Sequence, residues 1–137
     1  MKPDELYQKL EAFFPTKLDL MRHLEVGACW QYVISENSID EGDVKLIYYL
    51  YKDTPESLKM SKEKPKIEPD LILYFTEKAI INLIEGNPDA EQYYTLYKQI
   101  MNNPQPEKGI ELDNKVNKAR LKLWKLGYKQ WQKDFNF

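Results

Sequence analysis

The sequence of 137 residues contains a single cysteine, Cys29, and a single histidine, His23. One cysteine excludes an intrachain disulfide, and together the two residues cannot supply the ligand set of a structural zinc site. Glycine is scarce, with five residues, and no glycine-rich phosphate-binding motif occurs. No apolar run reaches the roughly 18 residues that a membrane span needs, and the first residues have no signal-peptide core. We therefore expect a cytoplasmic protein that holds no metal and no cofactor.

The composition is that of one folded domain, residues 1–137, with 42% apolar and 31% charged residues. A formal net charge of −2 gives no reason to expect a nucleic-acid partner. The aromatic fraction is high at 13%, with ten tyrosines, three tryptophans and five phenylalanines. Such rings are typical of a large core, an interface or an apolar pocket, and the composition leaves all three open.

Hydrophobic periodicity predicts an α+β fold. Aromatic and β-branched residues at 29–35 and 44–51, separated by a polar turn, predict an antiparallel hairpin. The other predicted elements are a helix at 3–14, a short helix between Thr16 and Gly27, an edge strand at 57–62, a strand at 70–75, helices at 77–85 and 87–101, a short strand at 109–113 and a final helix at 115–133. Consecutive strands with helices at both ends predict an antiparallel sheet of four to five strands, covered on one face by helices.

The final predicted helix is basic and contains no acidic residue. Four lysines are predicted to share one of its faces: Lys118, Lys122, Lys125 and Lys129. The apolar stripe beside them contains Trp124, Tyr128 and Trp131. Such a helix either lies on an anionic membrane surface or docks on the sheet with its lysines in water. We favour docking, with both tryptophans buried, because Ala119 and Gly127 are small enough for a close approach to a neighbouring element.

Catalytic chemistry has little support in the residue pattern. A thiol–imidazole pair needs hydrogen-bond contact and an orienting third group, and nothing predicts either for Cys29 and His23. We expect a packed, inert thiol, no catalytic residue and no enzymatic activity. The acidic residues between 36 and 43 lack the ligand spacing of a calcium loop, so we interpret them as a solvated turn.

The second half of the chain has a distinctive order of elements. The predicted strand at 70–75 is followed by Thr76 and Glu77, a short apolar helix and Gly86, then a further helix, a strand opened by Gly109 and a closing helix. With the upstream hairpin and first helix, this order resembles the sterol carrier protein 2 family. In that family the last strand is rich in glycine, whereas here the corresponding segment is short and polar. The resemblance implies a sheet covered by helices, with an apolar tunnel between them for acyl chains, sterols or other lipids.

The sequence thus predicts non-catalytic binding of a fatty acid, an acyl thioester or another lipid between sheet and helices. The expected ligand contacts come from the apolar helix stripes: Leu83, Ile84, Tyr97, Met101, Trp124 and Tyr128. Tyrosine hydroxyls or a lysine would hold the polar head. The alternative is a protein–protein or dimerisation module, in which the aromatic residues form a surface. Peripheral membrane contact and a homodimer remain open.

Overall fold

The structure, a computed structural model, describes all 137 residues and contains one five-stranded sheet and five α-helices. The strands are β1 (Cys29–Ser35), β2 (Val44–Thr54), β3 (Ser57–Ser61), β4 (Leu71–Thr76) and β5 (Leu112–Val116). The helices are α1 (Pro3–Glu11), α2 (Glu77–Ile84), α3 (Ala90–Asn102), α4 (Arg120–Lys125) and α5 (Tyr128–Phe135). Short 3-10 helices lie at Phe14–Thr16, Leu18–Met21 and Pro106–Lys108. The predicted α+β class is confirmed.

The sheet has the strand order β3-β2-β1-β4-β5. Neighbouring strands are antiparallel in the β1–β2, β2–β3 and β4–β5 pairs, in agreement with the predicted antiparallel sheet. The central β1–β4 pair is parallel, so the prediction of a wholly antiparallel sheet is wrong at this pair. Parallel pairing needs a long crossover connection, and the β2–β3 hairpin together with residues 62–70 provides one.

One face of the sheet is covered by the helices. Because side chains alternate along a strand, Trp30, Tyr32 and Ile34 of β1 all point to the covered face, where each is buried. They belong to a continuous core of 30 buried hydrophobic residues, to which α2, α3 and α5 contribute from the other side. No helix of the protein is long and apolar enough to cross a membrane.

The N-terminal helices are shorter than predicted. Helix α1 ends at Glu11 rather than at residue 14. Pro15 explains this end, because it has no N–H to donate to the Glu11 carbonyl and its ring would clash with that group in a continued helix. The short helix predicted between Thr16 and Gly27 is reduced to the 3-10 turn Leu18–Met21.

The prediction of one closing helix at 115–133 is wrong. Residues 112–116 form β5 instead, with Val116 opposite Leu71, so the last strand begins three residues later than predicted. The rest is broken into α4 and α5 at Gly127, whose φ of 97° is not helical. A β-carbon there would overlap the carbonyl oxygen of His23, which confirms the predicted close approach at this glycine.

The break also separates the lysines that were expected on one face. Lys118 lies between β5 and α4, whereas Lys129 belongs to α5. The four lysines therefore do not share a helical face.

Candidate functional site: an aromatic cavity

A cavity of about 120 Å³ lies between the sheet and helices α3, α4 and α5. Eleven of its 13 lining residues are hydrophobic. The lining is Trp30, Leu71, Leu73, Tyr93, Tyr94, Tyr97, Asn114, Val116, Leu123, Tyr128, Trp131, Gln132 and Phe137. Apolar pockets with a few polar groups are the usual form of small-molecule sites, so this cavity is the strongest candidate site in the molecule.

Local structure explains how so many rings reach one place. Tyr93, Tyr94 and Tyr97 lie on consecutive turns of α3 and face the sheet, where all three are buried. The capping box of Asp89 and Gln92 fixes the start of that helix, with the Asp89 carboxylate accepting from the Gln92 N–H at 2.8 Å. The tyrosines therefore form a wall whose position is set by a well-capped helix.

A buried polar network holds the opposite wall. The Tyr128 hydroxyl donates to Asp70 Oδ2 at 2.6 Å and accepts from Trp30 Nε1–H at 2.8 Å. The same Asp70 oxygen accepts the Cys29 N–H at 2.9 Å, and Lys118 Nζ lies 2.5 Å from the other carboxylate oxygen. Asp70 is wholly buried, so these partners replace the water that its charge has lost.

This network also defines the ionisation of Tyr128. Burial raises the pKa of the Tyr128 hydroxyl well above its ordinary value, and the negative charge of Asp70 raises it further. The hydroxyl therefore stays protonated as a donor to Asp70. Because its one donor is used within the protein, Tyr128 contributes its ring to the cavity and has no hydrogen left to donate to a ligand head group.

Two amide side chains supply the polar lining. Asn114 Nδ2 donates to the Tyr97 hydroxyl at 3.2 Å and contacts Met101 Sδ at 3.4 Å. The Asn114 amide oxygen and the Gln132 amide make no hydrogen bond with other side chains or with the backbone. These groups are neutral, so the cavity is suited to an uncharged polar substituent more than to a buried ion.

Phe137 forms the mouth of the cavity. Its ring stacks flat on Trp131, with centroids 4.9 Å apart, and is 40% exposed, whereas Trp131 is buried. Lys98 Nζ lies 5.5 Å from the Phe137 ring centroid and donates to the Phe135 carbonyl at 2.7 Å. The mouth therefore consists of the Phe137 ring with the Lys98 ammonium group beside it.

The sequence-predicted ligand residues are not all brought together. Tyr97 and Tyr128 line the cavity. Leu83 and Ile84 are buried in the core as expected but do not line the cavity. Met101 does not line it either, although its sulfur contacts Asn114, which does. Trp124 was expected between helices and sheet; this is wrong, because it is 43% exposed on α4.

Several lining residues are not among those predicted from the sequence. Trp30, Leu71, Leu73 and Val116 line the cavity from three different strands. In the sequence only the alternation of apolar residues along each strand marks them. Alternation shows which face of a strand is buried but not which part of that face borders a cavity. Tyr94 and Trp131 each lie three residues from a predicted contact, Tyr97 and Tyr128, on the apolar side of the same helix, so helical spacing is the signal that identifies them.

A second depression is wider, at about 440 Å³, and more polar. Only three of its seven lining residues are hydrophobic, and it lies between α2, α3 and the turn around residue 105. Its polar, open form gives an apolar ligand little surface to bury.

No nucleophilic centre accompanies the cavity. Burial, together with the charge of Asp70, raises the pKa of the Cys29 thiol to about 12, which disfavours the reactive thiolate. His23 lies instead beside Asp134, with Nε2 3.1 Å from the carboxylate. No group of three histidine, cysteine, aspartate or glutamate side chains is placed to hold a metal ion.

Compared with known proteins, the chain matches no family model and no curated protein. The resemblance to the sterol carrier protein 2 family therefore stays a prediction, and the function has to be argued from the cavity.

Proposed function

We propose that the protein binds an apolar small molecule, or the apolar end of a lipid, in the aromatic cavity. The observation that carries the proposal is a cavity with eleven hydrophobic lining residues and amide side chains at only two positions. Each methylene group that leaves water for such a lining contributes about 0.8 kcal/mol. The amides of Asn114 and Gln132 would orient a polar substituent.

The size of the cavity limits the ligand. An engineered cavity of about 150 Å³ in another protein takes up benzene, so the space of about 120 Å³ here suits one small ring or a short alkyl segment. A long acyl chain or a sterol needs more room than this. Displacement of the Phe137 ring from Trp131 is the change that would extend the cavity outward.

The order of elements supports a lipid-like ligand. A helix, a three-stranded meander, a returning strand, two helices and a strand follow one another in the order that resembles the sterol carrier protein 2 family, although two short helices stand in place of its single closing helix. The fatty acid, acyl thioester and other lipids expected from that resemblance remain the candidate ligands, with the short-chain members favoured by the volume.

The alternative function, a partner surface made of aromatic side chains, has less support. Most aromatic rings are buried, and Trp124 and Phe137 are the two large exposed ones. A contact surface enriched in aromatic residues would need more of them outside.

Native mass spectrometry of the purified protein tests both functions, because it reports co-purified ligand and oligomeric state together. A fatty-acid series of butyrate, octanoate and palmitate, titrated against a bound single-ring probe, fluorobenzene observed by fluorine NMR, then measures chain-length preference. We expect displacement by the shorter acids, and tighter binding of palmitate after Phe137→Ala.

A matched pair of variants tests whether the ligand binds in the aromatic cavity. Leu123→Trp fills the cavity from α4 and should abolish probe binding. Leu96→Trp makes the same change at a half-buried leucine that lines the second depression, and should leave binding intact. Equal binding by both variants, or a ligand-free dimer in the mass spectrum, would refute the cavity function.

A further inference from the structure

Helix α4 carries apolar side chains on its outer side. Leu121 is 69% exposed and Trp124 is 43% exposed, and they lie three residues apart on the same side of the helix. Exposed single apolar residues are ordinary, but two large ones side by side on one short helix form a small apolar patch.

Cations border this patch on both sides. At 100° per residue, Arg120 and Lys125 fall to either side of the Leu121–Trp124 pair. The Arg120 guanidinium lies 5.6 Å and Lys129 Nζ 5.0 Å from the Trp124 ring centroid.

These cations have no acidic partners. Lys118 pairs with the buried Asp70, but Arg120, Lys122, Lys125 and Lys129 form no ion pair. No acidic residue occurs between residues 114 and 133, although the chain as a whole has a net charge of −2. The positive charge is therefore a local property of α4 and its flanks, uncompensated at the surface.

We propose that α4 is a docking surface for an anionic lipid membrane. Leu121 and Trp124 would enter the boundary between head groups and acyl chains, while Arg120, Lys125 and Lys129 contact lipid phosphates. A nucleic acid would also attract the cations, but it offers no apolar layer for Leu121. The proposal does not depend on whether the cavity holds a ligand.

The position of α4 fits this role. Its inner side chain, Leu123, lines the cavity, so a membrane bound by the outer side lies one helix thickness from that space. Trp30 and Trp131 are buried, so Trp124 is the one tryptophan whose environment changes when α4 meets a membrane.

Vesicle flotation tests the proposal with the full chain and phosphatidylcholine vesicles prepared with and without phosphatidylglycerol. We expect binding to the anionic vesicles only, with a blue shift of tryptophan emission that Trp124→Phe removes. Binding should weaken with salt, because screening shortens from about 10 Å at 0.1 M to about 3 Å at 1 M.

Two variants separate the charged and apolar contributions. Arg120→Gln with Lys125→Gln should lower vesicle affinity roughly 30-fold, since each cation near an anionic surface is worth about a fivefold gain. Leu121→Ser should lower it about tenfold through lost burial. The control, Lys9→Gln with Lys66→Gln, removes two exposed lysines that form no ion pair elsewhere in the chain, and should stay within about threefold.

The proposal is overturned if the protein does not float with anionic vesicles at low salt, or if the control weakens binding as much as the α4 variant. It is also overturned if the protein binds an RNA or DNA oligonucleotide in the absence of vesicles and Leu121→Ser leaves that affinity unchanged.

Discussion

The aromatic interior has two halves that differ in how tightly they are filled. The closed half consists of Phe14, Tyr32, Tyr48 and Phe75, all fully buried. Tyr32 and Tyr48 face each other across β1 and β2 and stack with centroids 4.5 Å apart. Their hydroxyls have no hydrogen-bond partner. Ring stacking fills this half and leaves two polar groups unpaired.

The open half consists of Trp30, Tyr94, Tyr128 and Trp131, which surround the cavity. Here every ring polar group has a partner: the Tyr94 hydroxyl and Trp131 Nε1–H both donate to the Leu20 carbonyl, at 2.7 and 2.9 Å. Tyr128 and Trp30 bond to each other and to Asp70. Tyr94 and Trp131 meet edge to face rather than stacking.

The contrast shows that hydrogen bonds and close packing place different demands on the same ring types. In the open half the rings are fixed by directional bonds at their edges, and the space between their faces stays free. A ligand can occupy that space without breaking any of these bonds. In the closed half a ligand would have to separate stacked rings, so binding belongs to the open half.

High pH should disrupt both halves together, which is the largest effect expected. Burial raises the pKa values of Tyr32, Tyr48 and Tyr128 well above 10.0, and that of Cys29 from 9.0 to about 12. The unfolded chain loses these protons at lower pH than the folded chain. The resulting stability is therefore complete below about pH 9 and is lost as the pH rises toward the folded values.

Urea unfolding between about pH 8 and about pH 11 measures this loss, with tyrosinate absorbance recorded on the same samples. The free energy of unfolding should fall steeply at the alkaline end, and Cys29→Ala should make the fall shallower. A free energy that stays constant up to about pH 11 would contradict the burial of these groups.

Asp70 tests the open half alone. Asp70→Ala leaves the Cys29 N–H, the Tyr128 hydroxyl and Lys118 without their common acceptor, and should cost about 3–5 kcal/mol of unfolding free energy. Asp40→Ala, in the exposed turn before β2, is the control, because its carboxylate makes no hydrogen bond or ion pair. It should change stability by less than about 0.5 kcal/mol. Similar losses in the two variants would remove the argument that the network holds the cavity wall.

The closed half follows more directly from the sequence than the open half does. Strand β1 has the predicted bounds, because alternating aromatic and β-branched residues mark it without reference to the rest of the chain. Thr76 is of a residue type typical of helix N-caps, and its hydroxyl accepts the Ala79 N–H at 3.3 Å at the start of α2. Such local signals determined most of the elements around the closed half.

The open half depends on contacts between distant parts of the chain. Its polar network joins Trp30, Asp70, Lys118 and Tyr128, which are brought together only by the parallel β1–β4 pair and by the break at Gly127. Periodicity detects neither feature, since helical spacing continues through Gly127 in the sequence. Because the cavity is defined by these contacts, only two of the six predicted ligand residues line it.

A substitution at Gly127 tests how closely the start of α5 packs against the rest of the protein at the open half. Gly127→Ala adds a β-carbon that overlaps the His23 carbonyl at a φ of 97°, so it should cost roughly 2–4 kcal/mol and weaken probe binding. Gly42→Ala is the control. Gly42 also has a positive φ, of 68°, but no atom lies within 4 Å of the added β-carbon. Its cost should be about 1 kcal/mol, measured by urea unfolding. Equal costs would mean that α5 is not held against His23.

Removal of single hydroxyl groups gives the smallest effect and the sharpest comparison of the two halves. Tyr128→Phe deprives Asp70 of a donor and Trp30 Nε1–H of its acceptor, and should cost about 1–3 kcal/mol. Tyr32→Phe and Tyr48→Phe remove hydroxyls without partners, so each should be neutral or stabilising by up to about 1 kcal/mol. Chemical unfolding of the three variants under identical conditions measures the difference. A loss of more than about 1 kcal/mol in Tyr32→Phe or Tyr48→Phe would mean that a buried water bonds these hydroxyls, and the closed half would then contain a polar site of its own.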